Sequence, residues 1–145
     1  MFIKARRIRS LEEKHEQRIE DSIDDDFRGL VNYGIMALIQ LTNEPETLPE
    51  EPVDDPKLMD MYKQFSQHTK DLMMDKNHDY GEVWREMRVS SFTDLILMKL
   101  LRIKQIEDNA GQTKVSEGID SNYMDIINYA VFALIKLEEQ KAEAV

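Results

Sequence analysis

Apolar residues recur at helical spacing through most of this chain, and the polar breaks between them divide it into five long segments. From Phe2 to about Lys14, Ile3, Ile8 and Leu11 stand on one side and Arg6, Arg7 and Arg9 on the other, which predicts a first helix. A polar segment runs on to Ser22. Ile23 to Leu41 predicts a second helix with Asp24 as its N-cap, stopped by Asn43-Glu44-Pro45. The third begins at Asp55-Pro56, a proline at a first-turn position, and its apolar positions Leu58, Met61/Tyr62, Phe65, Thr69 and Leu72/Met73 carry it through Asp75. Lys76-Asn77-His78-Asp79-Tyr80-Gly81 reads as a polar loop, followed by a short helical turn within Glu82 to Arg88. Ser91-Phe92-Thr93-Asp94 has the form of a capping box and opens a fourth helix, Thr93 to about Asp108, ended by Asn109-Ala110-Gly111. A loop to Gly118 leads to Asp120 and a fifth helix reaching about Gln140.

Two of these segments are alike. Aligned without a gap, Ile23 to Leu41 and Ile119 to Leu137 agree at eight of nineteen positions, including Asn-Tyr and Ala-Leu-Ile-x-Leu. Upstream, Lys4, Arg7, Ile8 and Glu12 match Lys99, Arg102, Ile103 and Glu107. The reading is an internal duplication: residues 1–42 form a partial first repeat, 43–56 an acidic, proline-rich connector, and 57–142 a complete second repeat. The third helix has no counterpart in the first copy. Duplicated helical units stack because neither buries its apolar face alone, so the expected fold is a single all-α domain, 1–145. It is a bundle of about five main helices with an approximate internal two-fold and a truncated first copy.

Composition narrows the function classes. A chain of 145 residues is long enough for a core that needs no staple, and the absence of cysteine excludes disulfides and thiolate metal sites. No apolar run approaches the roughly 18 residues that span a bilayer, and MFIKARRIRS lacks the apolar stretch of a secretory signal. A soluble, cytoplasmic protein with no membrane partner is expected. The formal charge of −10 disfavours nonspecific nucleic-acid binding but leaves room for a small phosphorylated ligand in one basic pocket.

Within the fifth helix Asp125, Asn128 and Phe132 share one stripe, continued backwards by Ser121 and Asn122, while the other faces are nearly all apolar. A carboxylate and an amide in a buried helix need partners or a ligand. Two readings stand at Asp125: a salt bridge to Lys99 or Arg102 on the fourth helix, or a metal or ligand role. The first copy keeps Asn32-Tyr33 but has Gly29 where the second has Asp125, so Asn-Tyr reads as structural and Asp125 as specific to the second copy. Glu117-x-x-Asp120 gathers hard oxygen donors at the helix start, where Mg²⁺ binds through one or two carboxylates plus phosphate oxygens; equally, Asp120 is an N-cap and Glu117 a solvated acid. In the polar loop Lys76 suits phosphate, Asp79 a base or ribose, and Tyr80 stacking, with His78 a bystander. Trp84 reads as core. Arg85 and Arg88 suit phosphate or serve Glu82 and Glu86. Met59, Met61, Met73, Met74, Met87 and Met98 read as gap-filling core or interface residues.

KNHDYGEVWREMRVSSFTDLILMKLLRIKQIED followed by EGIDSNYMDIINYAVFALIKL resembles the nucleotide modification associated domain, type one, over Leu58–Leu137 as a full copy and Phe2–Leu41 as a partial one. Related sequences are similar to the MazG-like all-α nucleotide pyrophosphohydrolases. That resemblance implies carboxylates on adjacent helices holding Mg²⁺ while water attacks a (deoxy)nucleoside triphosphate. On it, Lys76, Asn77, Asp79, Tyr80 and Gly81 match the family loop. Asp94, Lys99 and Arg102 match the fourth-helix motif, and Glu117, Asp120, Asp125, Asn128 and Tyr129 the fifth. The implied roles are Glu117, Asp120 and Asp125 as metal ligands, with Asp125, Glu117 and Lys99 catalytic. Lys76, Arg85, Lys99 and Arg102 would meet phosphates, Asp79 and Tyr80 the nucleoside, with Asn77 and Asn128 also lining the substrate. Helix four departs from the MazG-like pattern, offering only Asp94 where an ExxE pair belongs. The alternative expectation is a non-catalytic nucleotide-binding or scaffold module, and a homodimer is expected in either case.

Overall fold

The computed structural model describes residues 1–14, 22–42, 56–109 and 118–144. They form α1 (Phe2–Lys14), α2 (Ile23–Thr42), α3 (Pro56–Tyr80), α4 (Val89–Asp108) and α5 (Ile119–Glu143), with one 3-10 turn at Val83–Glu86 between α3 and α4. No strand occurs among the described residues, so the all-α expectation holds. The expected connector at 43–55 and the expected loop at 110–117 lie outside the described residues, as do residues 15–21.

The nearly all-round apolar character of α5 places it at the centre, packed along its length on α2 and α4 and touched by α3 and the 3-10 turn. The main core joins Ala5 and Ile8 of α1, Phe27 and Leu30 of α2, Phe92, Ile96 and Ile103 of α4, and Ile126, Ala130, Phe132 and Ala133 of α5. A second cluster joins Ile35, Leu38 and Ile39 to Met124 and Ile127, and α3 covers it with Leu58, Met61, Tyr62, Phe65 and Leu72. Gly34 sets the approach of α2 to α5. A Cβ built there would stand 2.5 Å from Cγ1 of Ile127.

Several local expectations change. The residues read as a loop, Lys76 to Tyr80, are instead the last turn of α3. The turn ends at Gly81, whose φ of 71° is the left-handed conformation common just beyond a helix, and Lys76 is held from α5, a tertiary contact that outweighs the weak helix propensities of Asn, His and Asp. Helix α4 starts at Val89, four residues before the expected Thr93, because the capping-box side chains are used elsewhere. Thr93 donates to Glu12 Oε1 at 2.7 Å, and Asp94 accepts from Arg9 of α1. At α2 the cap is Ser22, whose Oγ accepts from the Asp25 amide at 3.3 Å, rather than Asp24. Helix α5 starts one residue ahead of Asp120, with Gly118 in the cap position. Ile3, expected on the apolar side of α1, is 83 % exposed, and Met59, Met74 and Met98 are surface rather than core residues.

Candidate functional site

The polar stripe of α5 gathers its partners from α3 and α4. Asp125 is buried to 8 % exposure, and each of its oxygens takes a lysine. Lys76, from the last turn of α3, reaches Oδ1 at 3.0 Å, and Lys99 of α4 reaches Oδ2 at 2.9 Å. The two ammonium groups are unequal: the Lys99 side chain is 22 % exposed and that of Lys76 50 %. Asp125 thus draws one cation from α3 and one from α4.

Beside this bridge lies a recess of about 70 Å³ lined by Met73, Lys76, Asn77, Asp125, Asn128, Tyr129 and Phe132. Asn128 is fixed from α3, its Nδ2 donating to the Thr69 carbonyl at 3.3 Å. Its match in the repeat, Asn32, accepts from the Tyr62 hydroxyl, also on α3. Both asparagines therefore tie a helix to α3. Phe132 is held by Trp84, which stacks on it at 4.5 Å between centroids and 7° between planes. That contact accounts for Trp84 as a core residue and makes one wall of the recess rigid.

The remaining residues singled out in the sequence divide clearly. Asn77 lines the recess with Lys76. Asp79 and Tyr80 are exposed, Asp79 lies 3.1 Å from its neighbour His78, and neither Asp79 nor Tyr80 lines the recess. Arg85 is engaged by acids, Glu82 at 2.5 Å and Glu139 at 3.0 Å, and lies 4.4 Å over the Trp84 ring. The hydrogen bond that its Nε donates to Glu82 raises its pKa above the ordinary guanidinium value. Arg102 lines a separate cavity with Met98, Lys99, Leu101, Gln105 and Asn122. The pairing of Lys76 with Asp125 was not foreseen, since a salt bridge to Asp125 was expected only from the fourth helix.

For Mg²⁺, the donors do not come together among the described residues, where no three of His, Asp and Glu form a group able to hold a metal ion. Asp120 is exposed and lines a different cavity, of about 450 Å³, with Leu38, Phe65, His68 and Met124 among its walls. Five residues separate Asp120 from Asp125, which turns the two carboxylates to different sides of the helix. Both oxygens of Asp125 are already occupied by ammonium groups, the opposite of the electron-rich cage that a hard cation needs. Glu117 lies outside the described residues.

No helix among the described residues is long and apolar enough to cross a membrane. No curated protein and no solved structure matches this chain. A family model does match, over residues 1–41 and 76–137, the segments that hold α1, α2, the Lys76 turn, α4 and most of α5. The chain belongs to the family described as nucleotide modification associated domain 1.

Proposed function

We propose that this protein binds a nucleotide and holds its phosphates with Lys76 and Lys99, which Asp125 keeps in place. The observation that carries this reading is the double pairing of Asp125: a nearly buried carboxylate draws two long cationic side chains from different helices to one point. Lysine side chains lose rotamer freedom when they bind, and a pair already ordered by a buried acid has lost much of it beforehand. The two ammonium groups meet beside a recess with amide and aromatic walls, where an anion could be received. The family description supplies the word nucleotide. Asp125 is a positioning residue in this reading and Mg²⁺ is not required.

The reading separates cleanly from Mg²⁺-dependent pyrophosphate release. Asp125→Asn keeps the shape of the side chain and removes a negative charge about 5 Å from a bound phosphate. At an effective dielectric of about 40 that charge is worth roughly 1.7 kcal/mol of repulsion. Part is offset by the looser lysines, about 0.5–1 kcal/mol. Titration calorimetry in the absence of Mg²⁺ should therefore show Asp125→Asn binding nucleoside triphosphate about fivefold tighter than the unaltered protein, and Lys99→Met binding it at least tenfold more weakly. Pyrophosphate release that requires Mg²⁺ and disappears in Asp125→Asn would replace this proposal with the hydrolase that the MazG-like resemblance implies.

A further inference from the structure

Lys99 lines one cavity and pairs with an acid, Asp125, that lines another of unequal size. The recess beside Asp125 holds about 70 Å³, room for about two waters and too little for a nucleobase. The other cavity holds about 360 Å³, within the range that small-molecule sites occupy, and is lined by Met98, Lys99, Leu101, Arg102, Gln105 and Asn122. Its lining is of two kinds. Met98 and Leu101 are apolar and largely exposed, at 64 % and 56 %, while Lys99 and Arg102 bring cations. Soft apolar side chains next to basic ones suit a flat ring joined to an anion.

Asn122 adds an independent sign. It is fully buried, its Nδ2 donates to the Gly118 carbonyl at 2.8 Å, and its Oδ1 has no hydrogen-bond partner. A buried acceptor without a donor is uncommon in a folded protein. The aligned position in α2 is Asp26, whose carboxylate pairs with both Lys4 and Arg7. Asn122 carries no charge at the aligned position and offers an acceptor for a neutral N–H.

We infer that this 360 Å³ cavity is the nucleoside subsite, with the base against Met98 and Leu101, a base N–H toward Asn122 Oδ1, and the phosphates passing Lys99 toward Lys76. The inference rests on the nucleotide-binding reading above and moves base recognition from Asp79 and Tyr80 to α4. It is tested by calorimetry on the full chain with the four ribonucleoside triphosphates and with inorganic tripolyphosphate, which carries the charge but no base. At least one nucleotide should bind tenfold or more tightly than tripolyphosphate. In the double variant Met98→Ala/Leu101→Ala, which alters only exposed side chains, that preference should fall below threefold while tripolyphosphate affinity stays within twofold. Gln105→Ala should change the ranking among bases. Nucleotides binding no better than tripolyphosphate, or a preference that survives the double variant, would overturn the subsite and leave phosphate binding intact. A preference lost in Tyr80→Ala alone would return the base to the end of α3. Failure of both nucleotide and tripolyphosphate to bind would overturn the parent reading as well.

Discussion

If Asp125 organises two lysines, its removal must unsettle them unequally. At about 4 Å and an effective dielectric of 20, a single ion pair is worth about 4 kcal/mol before desolvation and screening are subtracted. Lys99 sits in the less exposed pair, so much of that survives, and its coupling to Asp125 should be about 2 kcal/mol. Lys76 is half in water and can swing away, which puts its coupling in the surface range, about 0.5 kcal/mol. Asp125→Asn, which exposes the two cations to each other, should lower stability by about 2 kcal/mol in total. The measurement is urea unfolding followed by circular dichroism, applied to Asp125→Asn, Lys99→Met, Lys76→Met and the two double variants. Raising salt from 0.1 M to 0.5 M should shrink the Lys76 coupling more than the Lys99 coupling, because exposed charges are screened first. A Lys76 coupling equal to that of Lys99, or an Asp125→Asn protein as stable as the parent, would refute the bridge as an organising element.

Other residues give sharper tests of packing and titration. Gly34→Ala gains about 1 kcal/mol of helix propensity, yet its new Cβ meets Cγ1 of the buried Ile127, and the variant should be less stable by about 1 kcal/mol net in urea unfolding. A gain in stability would show that α2 and α5 can separate without cost. The Tyr123 phenol is pushed above its ordinary value of 10.0 by burial and then by Glu107. The folded state therefore keeps this proton at pH values where the unfolded chain loses it, and stability should fall as pH rises beyond about 10. Tyr123→Phe should flatten that alkaline decline in Tm, and an unchanged slope would remove Tyr123 as a cause. Phe2 and Ile3 are exposed at the start of α1. If a second copy covers them, light scattering should read twice the chain mass, falling to one in Ile3→Glu; a single chain at every concentration removes the homodimer.

Much of the fold was legible because hydrophobic spacing alone fixes where a helix can bury itself. The centrality of α5 follows from its nearly continuous apolar surface, and α3 from a one-sided stripe that covers the second cluster. The errors fall where a tertiary partner outweighs a local signal. Thr93 and Asp94 have the composition of a cap, but Glu12 and Arg9 of α1 take their side chains, and the helix begins a turn earlier. Lys76 to Tyr80 have loop composition, but Asp125 anchors the turn from another helix. No reading of neighbouring residues along the chain could supply either partner.

The candidate site was legible in its aspartate and not in its balance of charge, and the two repeats show why. In the first, Lys4 lies across Gly29 and ends at Asp26; a Cβ at position 29 would meet Lys4 Cδ and Cε at 2.7 Å, so a larger residue there would make the lysine shift. In the second, the acid stands at 125 and an amide at 122, so its carboxylate stands three residues, close to one turn, further along the aligned helix. Lys99 follows it and stops at Asp125. That single displacement has two effects at once. It brings the acid to where the end of α3 supplies a second cation, and it takes the acid away from the cavity that Arg102 and Asn122 line. A substitution that only exchanged one structural salt bridge for another would need the first effect alone. The unpartnered Asn122 acceptor beside a 360 Å³ cavity is the part that packing leaves over, and it is the group that the proposed nucleoside would complete.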